Sequence, residues 1–144
     1  MTQKSLPQVT APPHHFTVQL SATRRGARLA RLLTERQLND WGQRFEAAAQ
    51  VVAELTSNAV LHGRVSGRDF RLGLKLLADR TLRIEVTDAR GDRIPQTHAP
   101  VVDDAESGRG LRIVAAYADR WGVDEAPAHC KTVWAELAPD PGVP

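Results

Sequence analysis

The sequence predicts an α+β fold, a two-layer α/β sandwich with a mostly antiparallel, mixed sheet and helices on one face. Three observations point there. The chain has 144 residues, the length of one domain. Two neighbouring segments alternate apolar and polar residues about a tight turn, as a hairpin with one buried face does. Two segments with helical spacing come before it, and their apolar stripes need that buried face as a partner.

The elements follow in order. Residues 1–13 carry Pro7, Pro12 and Pro13 among polar residues, and residues 139–144 hold three prolines and a glycine. Both ends are expected to be disordered, which leaves one domain over residues 14–138. Phe16, Val18 and Leu20 alternate with Thr17 and Gln19 and predict a strand. Ser21 can cap a helix running to about Leu38, with Leu29, Leu32 and Leu33 on its buried face. Asp40 to Gly42 breaks it. A second helix is expected over Phe45 to His62, with Gly63 suited to its C-terminal cap.

Phe70, Leu72, Leu74 and Leu76 then alternate strictly, as do Leu82, Ile84 and Val86, around a turn at Asp79 and Arg80. From Ala89 to Ser107 no period is visible, and Gly91, Pro95, Pro100 and the acidic Asp103, Asp104 and Glu106 fall in this stretch. A loop this long inside a small domain is usually functional, often a lid. A helix over about Gly110 to Ala118 and strands near Arg120 to Asp124 and Lys131 to Leu137 complete the order β-α-α-β-β-loop-α-β-β.

Composition excludes several classes. Nineteen basic and 17 acidic residues leave a net charge of +2, and the 16 arginines form no basic run. Direct nucleic-acid binding is therefore not expected. A single cysteine, Cys130, rules out an intrachain disulfide framework. No apolar run reaches the length of a membrane span, and the N-terminus has no apolar signal core. A cytoplasmic location without membrane contact is expected. The five histidines show no metal-ligand spacing.

Three groups of residues could carry chemistry. On a wheel of the second helix, Phe45, Ala48, Val51, Val52, Leu55 and Ala59 share one arc. Glu54 and Asn58, four residues apart, lie together on its edge. A carboxamide oxygen can ligate Mg²⁺ and a carboxylate can take a proton, although the pair alone also reads as a solvated helix edge. Asp88 ends an apolar strand just before the irregular stretch; alone, it also reads as a turn residue. Gly108-Arg109-Gly110 opens a helix, where backbone N–H groups and an arginine suit phosphate, although a plain helix start would look the same. No Gly-x4-Gly-Lys-Ser/Thr loop occurs, so P-loop chemistry is excluded.

In combination these segments resemble a known superfamily. Glu54-Leu-Thr-Ser-Asn58-Ala-Val-Leu-His62-Gly63 is similar to the N box of the GHKL ATPases, which include gyrases, Hsp-type chaperones and histidine kinases. Val86-Thr-Asp88-Ala-Arg-Gly91 resembles the first glycine box, Gly108-Arg-Gly110-Leu-Arg-Ile-Val the second, and Lys131-Thr132-Val-Trp-Ala-Glu-Leu137 the closing strand. All four stand in the family's order. The short form with Asp119-Arg-Trp-Gly-Val123 resembles the bacterial anti-sigma factor/serine-protein kinases.

The resemblance implies ATP and Mg²⁺ as cofactors. It implies Glu54 as general base and Asn58 as the Mg²⁺ ligand. It further implies Asp88 as acceptor for the adenine amino group, with Gly91 near the base and Thr132 in the same network. Gly108, Arg109 and Gly110 would hold phosphates, and residues 92–107 would form a lid. The implied partners are a sigma factor and an antagonist protein, and the resemblance admits a homodimer formed through the first strand and helix. The implied activity is serine/threonine phosphorylation of the antagonist. The first glycine box departs from Asp-x-Gly-x-Gly, since Ala89 and Arg90 stand between Asp88 and Gly91. That departure motivates one alternative, a partner-binding module with weak or no catalysis; a detached histidine-kinase-like ATPase domain is a further alternative.

Overall fold

The computed structural model describes residues 14–62, 69–88, 112–126 and 130–139. The expectations for residues 1–13 and 140–144, for the Gly63 cap and for the 92–107 lid lie outside the described residues. Strand β1 (His14–Ser21) leads into helix α1 (Arg24–Asp40) and helix α2 (Ala48–His62). Strands β2 (Asp69–Leu76) and β3 (Leu82–Asp88) form the hairpin, and β4 (Arg120–Ala126) and β5 (Cys130–Leu137) follow. Residues 112–117 are helical. The strands build one sheet in the order β1-β2-β3-β5-β4, and each of its four pairings is antiparallel. Helix α1 packs on α2 and β1, while α2 lies over β3 and β5. This is the expected two-layer α+β sandwich.

The alternating segments behave as their period predicts. In β2 and β3, Phe70, Leu72, Leu74, Leu76, Leu82, Ile84 and Val86 are all buried beneath the helices. Ala48, Val51, Val52, Leu55 and Ala59 of α2 pack against them, and Phe45, just before the helix, joins the same core. Burying large aliphatic and aromatic side chains here stabilises the domain by roughly 1.5–3 kcal/mol each. The hairpin turn is set by Asp79, whose Oδ1 accepts the Thr81 N–H at 2.9 Å. Arg80 takes the left-handed φ of 72° that the turn requires.

Helix α1 departs from expectation in two respects. Its N-cap is Thr23, whose side chain accepts the Gly26 N–H at 3.0 Å; Ser21 closes β1 and meets Thr23 through its hydroxyl. Its buried residues are Gly26, Ala30, Thr34 and Leu38, whereas Leu29 and Leu32 are 42% and 53% exposed. A row of small residues at every fourth position lets α1 lie close to its neighbours. At Gly26 the approach is tightest: a Cβ there would meet the Ser21 carbonyl oxygen. The Thr34 hydroxyl is satisfied by donating to the Ala30 carbonyl at 2.8 Å. Trp41 then caps α1, and Gly42 turns the chain at a φ of 68°.

Candidate functional site

Because side chains alternate along a strand, the sheet has two chemically distinct faces. On β3 the helix-covered face carries Leu82, Ile84, Val86 and finally Asp88, which is only 6% exposed. An apolar strand thus delivers one carboxylate to the end of the covered layer. Phe70 on β2 and Lys131 on β5 stand directly opposite Asp88 on its two sides. Directly opposed residues share a face, so the covered layer ends in the row Phe70, Asp88, Lys131. Phe70 is buried and Lys131 half-buried.

Helix α2 supplies the second group. Glu54 and Asn58 are half-buried, one turn apart, on the edge of the stripe that faces the sheet. Gln50, one turn before, donates to Glu54 Oε2 at 3.1 Å and steadies the carboxylate. Thr56 between them is turned inward, its hydroxyl bonded to the Val52 carbonyl at 2.7 Å. The helix therefore offers an anionic acceptor and a neutral amide side by side, on an element anchored by its own core residues.

Thr132 is placed elsewhere. It stands opposite Thr87, and the two hydroxyls lie 2.7 Å apart. That pair belongs to the uncovered face, with Arg83, Glu85, Trp134 and Glu136. The register therefore separates Thr132 from Asp88 and does not join them in one network. The residue that the sequence reading passes over is Lys131. A signal for it was present: counting back by twos from the buried Leu137, Ala135 and Val133 reaches Lys131, not Thr132. The remaining expected site residues, Gly91, Gly108, Arg109 and Gly110, lie outside the described residues.

The uncovered face is a polar lattice. Arg83 bonds Glu85 and Glu136, each at 2.8 Å, and Arg120 reaches Glu136 at 3.0 Å. The Arg83 guanidinium also sits 4.3 Å above the Trp134 ring. Burial works against the Arg83 charge, but the bonds to Glu85 and Glu136 outweigh it and hold its pKa above the usual arginine value. Trp134 in turn covers Gly122, where a Cβ would come within 2.8 Å of the indole. Every charge in this lattice has a partner, so its chemistry is structural.

Among the described residues, two open hollows are lined by residues other than Asp88 and Asn58. One, of about 330 Å³, is lined by Leu38, Gln43 and Phe45 near the start of α2. The other, of about 380 Å³, is lined by Leu77, Asp79, Asp119 and Glu136, at the opposite end of β3 from Asp88. Among the described residues, no three His, Cys, Asp or Glu side chains come together as a metal site. No helix among them is long and apolar enough to cross a membrane.

Glu54 and Asn58 thus put one carboxylate and one carboxamide on the same edge of α2, while Asp88 stands at the end of β3. An oxygen pair of this kind suits a hard cation carried by phosphates, because such an ion takes few protein ligands and keeps water or phosphate for the rest. The family model described as "Histidine kinase-like ATPase domain" matches residues 17–137. The crystal structure of the RsbU and RsbW domains of Rv1364c from Mycobacterium tuberculosis superposes with a TM-score of 0.64 at 22% identity. The match covers 90% of this chain and 33% of the solved one, so this chain spans about a third of that protein's length. At that identity the likeness is one of fold. No curated protein matches.

Proposed function

The chain belongs to the histidine kinase-like ATPase domain family, and from that premise we propose that it is a Mg-ATP-binding regulator: an anti-sigma factor that phosphorylates an antagonist protein on serine or threonine. The observation that carries this reading is the pairing of Glu54 and Asn58 on the half-buried edge of α2, over the sheet whose β3 ends in Asp88. In this reading Asp88 accepts a hydrogen bond from the amino group of the base. Asn58 offers its carboxamide oxygen to the ion. Glu54, steadied by Gln50, takes the proton of the attacking hydroxyl as its oxygen becomes nucleophilic. When bound, Mg²⁺ would neutralise phosphate charge and orient the terminal phosphoryl group. Gly91, Gly108, Arg109 and Gly110 are proposed to complete the nucleotide contacts. The RsbW domain in the solved structure of similar fold supports the anti-sigma assignment. A sigma factor and an antagonist are the proposed partners, and the cytoplasm the proposed location. Homodimerisation through β1 and α1 is part of the same proposal.

Calorimetry with Mg-ATP tests the site. Wild type is expected to bind, and Asn58→Ala and Asp88→Ala to lose most of the affinity. Equal binding by all three removes the assignment. Labelled ATP with candidate antagonists tests the kinase step, which Glu54→Gln should abolish while binding persists. One observation favours a second reading: the first glycine box lacks a glycine before Gly91. A binding module without useful catalysis would sequester its partner whether or not ATP turns over. A phosphohistidine product, labile in acid, would instead favour a histidine-kinase-like activity.

A further inference from the structure

The register around Asp88 bears on which nucleotide the site accepts. Asp88 and Lys131 stand directly opposite each other on β3 and β5 and on the same covered face. Side chains so placed have Cβ atoms about 4.5–5.5 Å apart, within easy reach for a lysine. Phe70, 1% exposed, closes the other side of Asp88. The end of the covered layer thus presents an apolar wall, then a pure acceptor, then a pure donor: an ionised carboxylate only accepts, and an ammonium only donates.

We infer that Lys131 is a second base-reading residue, and that the Asp88–Lys131 pair accepts both 6-aminopurine and 6-oxopurine nucleotides. The inference rests on the proposal that Asp88 faces the base of a bound nucleotide. A 6-aminopurine presents an amino donor beside the ring acceptor N1. Asp88 takes the first and Lys131 supplies the second. A 6-oxopurine presents the reverse, a carbonyl acceptor beside N1–H. With the base shifted in its plane, Lys131 then donates to the oxygen and Asp88 accepts from N1–H. A lone carboxylate would repel the 6-oxo group, which is how a site of that kind excludes it. The ammonium removes that exclusion. Thr132, on the opposite face with Thr87, takes no part in this discrimination.

The test is calorimetry of the full chain with Mg-ATP and Mg-ITP, for wild type, Lys131→Met, Lys131→Arg, Thr132→Val and Asp88→Ala, each checked for folding by circular dichroism. ITP differs from ATP at the purine 6-position and the N1 proton, and so isolates this contact. Wild type should bind ITP within about tenfold of ATP, the scale of one hydrogen bond to a charged group. Lys131→Met should weaken ITP relative to ATP by about tenfold more, and Lys131→Arg should largely keep the wild-type ratio. A ratio unchanged within about twofold in Lys131→Met overturns the inference if Asp88→Ala still abolishes ATP binding. So does a shift in Thr132→Val with none at Lys131. Wild type binding neither nucleotide overturns the nucleotide reading and this inference together.

Discussion

The two faces of the sheet are built by the same strands, one residue out of step, and they do opposite work. The covered face runs from Leu82 through Ile84 and Val86 into Asp88 with no charge along the way. The uncovered face runs from Arg83 through Glu85 to Thr87, each tied to a cross-strand or neighbouring partner. The first carries its one polar group, Asp88, to the end of the layer. The second spends its polar groups on each other. A slip of one residue in register would exchange these roles. The long row of paired strands, with every described pairing antiparallel, holds that register.

Three substitutions would break or sharpen the contrast. The largest effect belongs to the covered face. Phe70→Ala removes a buried ring beside Asp88 and should cost about 3–5 kcal/mol of stability, read from the urea unfolding midpoint. A cost near that of a surface substitution would mean that the β2 end is not part of the core. The next effect belongs to the uncovered face. Arg83→Met leaves Glu85 without its shorter ion pair and Glu136 with Arg120 alone, and should cost about 1–3 kcal/mol. Its Mg-ATP affinity should nevertheless stay within about twofold of wild type, as expected for a distant site with no shared partner. A large loss of binding in Arg83→Met would show that the two faces are coupled, and the contrast would fail.

The same alternation explains what could be read without a structure. In β2 and β3 large apolar residues repeat every second position, so both strands and their buried face were legible. So was the stripe of α2, because Val51, Val52 and Leu55 are bulky. In α1 the signal misled. Leu29 and Leu32 look like core, yet the helix is drawn in by Gly26, Ala30 and Thr34, whose small size carries little hydropathy; at Gly26 the size matters because the Ser21 carbonyl lies against it. Thr132 was misplaced for a different reason: a motif says which residues are near, but only the pairing of Asp88 with Lys131 says which of two neighbours faces the layer. Glu54 and Asn58 were legible as a pair because helical spacing alone puts them on one edge.

The smallest effect lies at the far end of the hairpin from Asp88, where neither face is involved. Asp79 accepts the Thr81 backbone N–H, and that bond, followed by one from the Thr81 hydroxyl, holds its carboxyl below the usual aspartate range. Its pKa is thus lower in the folded chain than in the unfolded one. The stabilisation is fully present above the unfolded value and is lost as pH falls through the folded value. Asp79→Asn keeps an acceptor for the turn but removes the titrating charge. The stability gap between wild type and variant should be constant above about pH 5 and shrink below about pH 4. Urea midpoints of both proteins measured from pH 3 to pH 7 would show it, with Mg-ATP affinity the same for both at neutral pH. Parallel pH profiles would mean that the turn is held by backbone geometry at Arg80 and not by the Asp79 charge.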